Sequence, residues 1–432
     1  MVAFHFPPDG GSGMQRTLKF ARYLPELGWD VEVLTVREST YNVLDYSMLE
    51  QVPNQIAVHR TFCLHPVKHL SIAGRYPGIF DFFDRFAYWF PFGVWRGLRL
   101  LRQRRFDVIY STSPTRTAHL IAKVLARSSG RPWICDFRDP WLDPVTEARL
   151  RQTWMGRIRL QLLNWLERGI LQRVTRIIAN TPLSGTDLAQ CHPELDPGRI
   201  MVLTNGYDEA DFTGISPAPR TVPPDRLVLL HSGEVYPEIR DPRPLIEAAL
   251  ALVTSGRISP GELQFRFIGA GFVLESGEFP LWLKKRSAEG LVSLEPRMDH
   301  EKCMAEMLSA DALLLMQSTS STNRQVPAKF YEYLRAGKPV LTMAPLDSAT
   351  AQIARDCGAG WEVDAKDADG LRAALMHMIE LHRTGQLHSK RAEFGRFERR
   401  QLTVRLAEVL EQCCGRPAPV TVQPSAAIVS SQ

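Results

Sequence analysis

Short, mainly apolar runs alternate with helix-length periodic stretches twice along this chain, and a segment with four prolines in twelve residues, 213–224, separates the two series. Few folds admit that arrangement. A short apolar run that does not alternate strictly with polar residues reads as a strand buried on both faces, as in a parallel sheet covered by helices. Two such series joined by a stiff connector imply an α/β chain with two facing, doubly wound, Rossmann-like domains and a cleft between them. The strands are expected near 2–6, 31–36, 56–62, 107–111, 132–136, 176–180 and 200–203, then near 227–231, 264–268, 292–294, 312–316 and 340–343. The domain reading is 1–212 for the first unit, 213–224 for the linker and 225–390 for the second unit. A terminal helix within 391–414 would cross back to the first domain, and 415–432 reads as a disordered tail.

Composition narrows the partners. With 44% apolar and 23% charged residues over 432 positions, the chain can build sizeable cores, and a net charge of +5 does not by itself call for nucleic acid. Seven cysteines, an odd number with no C-x-x-C, read as reduced thiols and hold no metal-ligand spacing. No charged-then-apolar leader follows Met1 and no apolar run reaches a membrane-spanning length, so the expected location is cytoplasmic, at most peripheral on the inner membrane face.

The stretch 327–342 carries the most chemistry. Pro327 suits a first helical position, Gly337 the residue past the end, and Pro339 the stop before a strand. Lys329 falls in the first turn, where the helix dipole disfavours a cation, and Glu332 follows one turn later on the same face. Two readings are open: a solvated Lys–Glu pair, or a phosphate held by Lys329 and the helix N-terminus with Glu332 on sugar hydroxyls. At the other end of the chain, Gly10, Gly11, Ser12 and Gly13 join the first strand to a helix over 14–27 closed by Gly28, which is either an anion-cradling loop or a tight turn. Arg16 stands where a dinucleotide fingerprint needs its third glycine, which weakens a nicotinamide or flavin reading. Asp136, Arg138 and Asp139 follow a strand, as ligand-binding groups or as a self-satisfied ion-pair network. The Asn205-Gly206 dipeptide after the last strand of the first series is a turn signal in its own right.

Two segments of the first half are both aromatic and basic. Residues 80–95 hold nine aromatics in sixteen positions, followed by Arg96, Arg99, Arg102, Arg104 and Arg105. Residues 149–176 repeat the theme, with Trp154, Ile158, Leu162 and Trp165 at helical spacing among Arg151, Arg157, Arg159 and Arg168. Either could lie on an anionic membrane interface, and the first could equally be an aromatic helix buried in the core.

Four motifs in order resemble the GT-B glycosyltransferases, specifically the family 4-like retaining enzymes that use nucleotide-sugars. They are Pro8-Asp9-Gly10-Gly11-Ser12-Gly13 with Arg16, Thr204-Asn205-Gly206-Tyr207-Asp208 before the linker, Ser232-Gly233 with Arg240-Asp241-Pro242, and Pro327-Ala328-Lys329 leading to Glu332-Tyr333-Leu334. The resemblance spans about residues 2–412 and implies a nucleoside-diphosphate sugar as co-substrate and no other cofactor, and no D-x-D stands at a strand end to call for a metal. It implies donor contacts from Gly11, Gly13, Asn205 and Gly233, diphosphate contacts from Arg240 and Lys329, and a ribose contact from Glu332. Ser12 and Arg16 would approach the acceptor or a phosphate, and Asp136 and Arg138 occupy the neighbourhood of the family's catalytic histidine. Many relatives carry a second acidic residue eight positions before the ribose carboxylate. Here that place is Arg324, so Ser320, Ser321 and Asn323, with Thr322, would serve the sugar instead.

The implied reaction moves a sugar to a glycan or lipid-linked acceptor hydroxyl in cell-surface polysaccharide or glycolipid synthesis. The leaving diphosphate would deprotonate the acceptor while Arg240, Lys329 and the helix N-terminus stabilise its charge. An epimerase or phosphorylase on the same fold, or a non-catalytic sugar-nucleotide-binding protein, are the alternative readings.

Overall fold

The structure is a computed structural model describing residues 1–64, 84, 86–138, 141–142, 144–236, 238–271, 274, 277–317, 323–389 and 394–415. Two wholly parallel sheets organise it. The first has seven strands: β1 (Val2–Ala3), β2 (Glu32–Val36), β3 (Ala57–Thr61), β4 (Ile109–Thr112), β5 (Trp133–Phe137), β6 (Arg176–Ala179) and β7 (Ile200–Val202), in the order β3-β2-β1-β4-β5-β6-β7. The second has six: β8 (Leu227–Ser232), β9 (Leu263–Ile268), β10 (Val292–Glu295), β11 (Ala312–Met316), β12 (Val340–Met343) and β13 (Gly360–Val363), in the order β10-β9-β8-β11-β12-β13.

Helices of the first domain are α1 (Gln15–Tyr23), α2 (Phe90–Gln103), α3 (Arg116–Ser129), α4 (Pro144–Arg151), α5 (Trp154–Leu171) and α6 (Pro182–Cys191). Those of the second are α7 (Arg243–Thr254), α8 (Glu278–Lys285), α9 (His300–Ser309), α10 (Ala328–Ala336), α11 (Ala349–Asp356) and α12 (Ala368–Arg383), and α13 (Arg399–Cys414) follows. Alternate residues of the central strands enter different cores, as a pleated strand buried on both faces requires. Trp133, Cys135 and Phe137 of β5 pack with Ile121 and Leu125 of α3 and Ile170 of α5. Ile134 of the same strand joins Phe20 of α1 and Leu402, Leu406 and Leu410 of α13 on the opposite face. In the second sheet Leu314 and Met316 face α7 and α12, while Leu313 and Leu315 face α9 and α10.

The chain therefore ends on the domain where it began, α13 lying against α1. The crossing is made at Gly206. Tyr207 N donates to Phe397 O at 3.1 Å and Arg399 N donates to Tyr207 O at 2.8 Å. A Cβ on residue 206 would lie 1.9 Å from the Phe397 carbonyl oxygen, so only glycine lets the two segments close on each other.

Local differences from the sequence reading have local causes. The helix expected over 14–27 is α-helical only to Tyr23 and tightens to a 3₁₀ turn over Leu24–Leu27, because Pro25 offers no N–H to the α ladder. Gly28 then closes it at φ 82°. The first strand is shorter than 2–6, since Phe4 O already accepts from Thr35 Oγ1 at 2.9 Å and Tyr41 OH at 2.8 Å. Pro327, at φ −57° and ψ 133°, is the residue before the helix and not its first member, so α10 starts at Ala328 and Lys329 is its second residue. The segment 149–176 divides into α4 and α5, Thr153 Oγ1 capping the second by accepting from Gly156 N at 3.1 Å. The terminal helix begins at Arg399, inside the expected 391–414. The aromatic positions 80, 82 and 83 and the tail from 416 lie outside the described residues.

Candidate functional site

Each sheet reverses its strand order once, between β1 and β4 and between β8 and β11. Open α/β sheets take ligands at such switch points, outside the carboxyl ends of the strands. On the first domain the segments leaving those ends are the loop carrying Gly10 to Gly13, and Ser113 with Arg138. On the second they are 232–236 with 238–240, and Gln317 with 323–325. Between the domains, Asn180, Asn205, Ile239, Arg240, Gln317 and Gln325 line a cavity of about 110 Å³. Asn180 and Asn205 are buried, at 4% and 8% exposure, and the side-chain oxygen of each meets no hydrogen-bond partner among the described residues. Buried carboxamides are ordinarily paired, so two unpaired ones beside a cavity suit ligand hydroxyls.

Lys329 is positioned by the end of β8. Its Nζ donates to Ser232 O and lies 3.3 Å from His231 Nε2. His231 Nδ1 is 2.9 Å from Leu314 O, and burial pushes the pKa of this ring well below 6.5. The imidazole is therefore neutral, with its proton on Nδ1 and its Nε2 lone pair turned to the ammonium. Tyr333 OH, one turn further along α10, accepts from Ser232 N at 2.9 Å and fixes the strand end. Gly233 sits at φ 87°, a left-handed conformation that favours glycine, and it lies directly against Lys329 Nζ.

Burial, then the neighbouring Arg240, lowers the Lys329 pKa from 10.5 to about 7. Arg240 itself donates to Glu234 O at 2.9 Å and lies 5.7 Å from the Tyr236 ring centroid. Among the described residues neither cation forms an ion pair. In particular Lys329 does not pair with Glu332, so the Lys–Glu pair that was one reading of the sequence is not formed. Glu332 is half-buried, 3.9 Å from His300 Nε2, and burial raises its carboxyl pKa.

The first-domain candidates are engaged differently. Arg16 and Asp136 form a bidentate pair, Nε–Oδ2 2.8 Å and Nη2–Oδ1 3.0 Å, at 1% and 0% side-chain exposure. Arg16 also donates to Leu203 O at 2.8 Å and Thr204 O at 2.6 Å, while Asp136 accepts from Tyr110 OH at 2.5 Å and Thr112 Oγ1 at 3.0 Å. The pair ties α1, β4, β5 and the end of β7 together beneath the cleft, and with neither side chain reaching solvent it is a clamp within the domain. Arg138 donates to Gly13 O and to Ser113 O at 3.4 Å, bracing the glycine loop. In that loop Gly10 N donates to Val43 O at 2.9 Å and Gly11 N to Asp9 Oδ1 at 3.2 Å, so these two amides are already satisfied.

Arg324 crosses between the domains. Its side chain pairs with Asp187 of α6, and its carbonyl accepts from Thr181 Oγ1 at 2.7 Å and Ser184 Oγ at 2.9 Å. Asn323 Nδ2 donates to Asp347 Oδ1 at 3.2 Å, while Ser320, Ser321 and Thr322 lie outside the described residues, as does Asp139.

Comparison with known proteins bears on this geometry. Residues 11–206 match the family model described as a glycosyl transferase 4-like domain. No curated protein sequence matches the chain. Among solved structures, Anabaena Alr3699/HepE in complex with UDP and glucose superposes at a TM-score of 0.61 with 15% identity, covering 95% of this chain and 98% of that one. The chain has the two-sheet GT-B fold. The fold is shared equally with sucrose-phosphate synthase from Thermosynechococcus elongatus, at a TM-score of 0.58, 14% identity and 91% coverage of both chains. The lipopolysaccharide outer core galactosyltransferase WaaB, apo form, gives 0.58 and 15% identity over 95% of this chain and 99% of that one.

Within this GT-B cleft the structure brings together Arg240, Lys329 and Gly233 on one wall and Asn205 on the other, and adds residues that sequence reasoning passed over. Asn180 follows β6 directly, a position at a strand's carboxyl end that marked it in principle. Gln317 follows β11 in the same way. His231 looked like the last residue of a strand, and Arg399 belongs to a helix whose return to the first domain brings it close to Arg16 and Arg138. Burial, then those two guanidinium groups, lower its pKa to about 10.

Proposed function

We propose that this GT-B protein transfers a sugar from a nucleoside-diphosphate sugar, bound in the cleft, to an acceptor hydroxyl with retention of configuration. The observation that carries the reading is the uncompensated positive charge of Lys329 and Arg240. Burial lowers the pKa of both, Arg240 lowers that of Lys329 further, and neither has a carboxylate partner among the described residues, which makes a site in want of an anion. A diphosphate satisfies both, and the α10 N-terminus adds its dipole. As the glycosidic bond breaks, negative charge grows on the leaving phosphate where these cations are already placed, so no reorganisation is needed at that moment. The departing phosphate oxygen takes the acceptor's proton on the face the acceptor attacks, which is the retaining course. The carboxamides of Asn180 and Asn205 hold sugar hydroxyls, and Glu332 holds the nucleoside ribose. The acceptor in this reading is a glycan or a lipid-linked glycan, in cell-surface polysaccharide or glycolipid synthesis at the inner membrane face.

Nucleoside-diphosphate release from a panel of sugar nucleotides, with NMR of the anomeric proton in the products, tests it. The expected outcome is turnover of one donor with the anomeric configuration kept. Binding of sugar nucleotides with no turnover of any would favour the non-catalytic reading instead.

A further inference from the structure

Helix α5 is apolar on two opposite sides. Its inner side, Gly156, Leu160, Leu163, Ile170 and Leu171, is buried against the first domain. Its outer side carries Trp154 at 66% exposure, Ile158 at 49%, Leu162 at 36% and Trp165 at 68%, with Met155 beside them at 52%. At 100° per residue the four fall within one stripe, diametrically away from the buried face. A helix on the surface of a water-soluble domain needs one apolar stripe, so the second is unaccounted for by folding, and contiguous exposed apolar surface of this kind marks an interaction site.

The surroundings choose the partner. Arg157 and Arg168 border the stripe on one side, both exposed, with Arg168 Nε 3.7 Å from Glu194 Oε1, and Arg151 ends the preceding helix α4, paired there with Glu147. The helix's one acidic residue, Glu167, is turned away from the stripe, 3.6 Å from His192 Nε2. A second helix on the same side of the sheet repeats the pattern. α2 packs on α3 through Gly93 against Ile121 and Gly97 against Leu125, α3 in turn contacts α5, and α2 presents Phe92 and Trp95 outward, at 40% and 63% exposure. Arg99 lies over the Trp95 ring at 5.8 Å. At the far ends of α2 and α3, Arg102, Arg104, Arg105 and Arg131 line a cavity of about 390 Å³. The opposite side of the sheet is occupied by α1 and α13.

We infer that the α2–α3–α5 side of the first domain docks on an anionic lipid bilayer, the Trp154, Ile158, Leu162 and Trp165 stripe entering the headgroup region and the arginines meeting lipid phosphates. Tryptophan favours the membrane interface because its ring is apolar and its N–H remains wet, and arginine rows add attraction to anionic headgroups. No helix among the described residues is long and apolar enough to cross a membrane, so contact of this type lies in the interfacial plane. The inference is independent of what the cleft binds.

Co-sedimentation with phosphatidylcholine vesicles, with and without phosphatidylglycerol, tests it on the full chain. The protein is expected to pellet with the anionic vesicles and not with phosphatidylcholine alone. Because each lost aromatic removes buried area and each reversed charge opposes the surface, W154S/W165S and R157E/R168E should each weaken partitioning about tenfold or more. The melting temperatures of both variants should stay near that of the parent, since the four side chains project into solvent. Failure of the parent to pellet would overturn the inference, as would pelleting unchanged in both variants. A dimer in analytical ultracentrifugation that W154S/W165S dissociates, without vesicle binding, would overturn it in favour of a second copy on the stripe.

Discussion

Lys329→Ala and Arg240→Ala are each expected to lower kcat by roughly 10²–10³, the scale of losing one preorganised electrostatic donor. The loss falls on kcat because the charge they meet grows as the leaving group departs, so their interaction is stronger in the transition state than in the bound donor. Glu332→Ala should act chiefly on KM, since a ribose contact remote from the reacting carbon stabilises both states alike. A pH signature accompanies this. Burial holds the Lys329 ammonium at about 7, so the free protein loses that charge as pH rises through this value. A bound diphosphate restores it by raising the pKa, so binding above that pH takes up a proton and affinity falls with rising pH, by up to about tenfold per unit. Lys329→Ala should flatten the dependence. Steady-state kinetics of the three variants across pH check all of this, and unchanged kcat in both cation variants would remove the electrostatic mechanism.

The second large effect concerns stability. Asp136→Ala leaves the Arg16 guanidinium buried with no counter-charge, and breaking such a pair from one side costs about 3–5 kcal/mol. That is a large share of the ~5–15 kcal/mol that holds an ordinary domain folded, so denaturant melts should show the first domain strongly destabilised. Burial pushes the Asp136 carboxyl pKa up, but the Arg16 charge and the Arg16 and Tyr110 hydrogen bonds override it, and the net position is below 3.8. The stabilisation is therefore complete above the ordinary carboxylate range and lost only as pH falls through the depressed value. Were Asp136 a catalytic base, Asp136→Asn would keep stability and lose turnover; the clamp predicts loss of stability in both variants.

That contrast shows where sequence reasoning ran out. Parallel strands were legible because burial on both faces favours apolar runs, unbroken in β11 (Ala312–Met316) and interrupted only by Thr342 in β12 (Val340–Met343). Helix ends at Gly28 and Gly337 were legible because both adopt positive φ, 82° and 70°. Partner choice was not. Arg16 and Asp136 stand 120 residues apart, and each alone looks like a site residue. Arg324 marked a departure from a familiar acidic position, yet its pairing with Asp187 on the other domain depends on how two domains meet. In α5, periodicity revealed the Trp154–Trp165 stripe but could not say which of two apolar stripes faces the core. The candidate site was readable where it rests on local order, as with Lys329 in the first turn of α10, and unreadable where tertiary approach supplies the group, as with His231 and Asn180.

The central claim is that the cleft between the two sheets binds a nucleoside diphosphate on Lys329 and Arg240. Thermal melting across UDP, GDP, ADP and dTDP sugars measures it directly, because a ligand at a hundred times its Kd stabilises the native state by ~2.7 kcal/mol. A rise in melting temperature with one of these, absent in folded Lys329→Ala and Arg240→Ala proteins, is the predicted result; no shift from any of them at millimolar concentration would contradict the account.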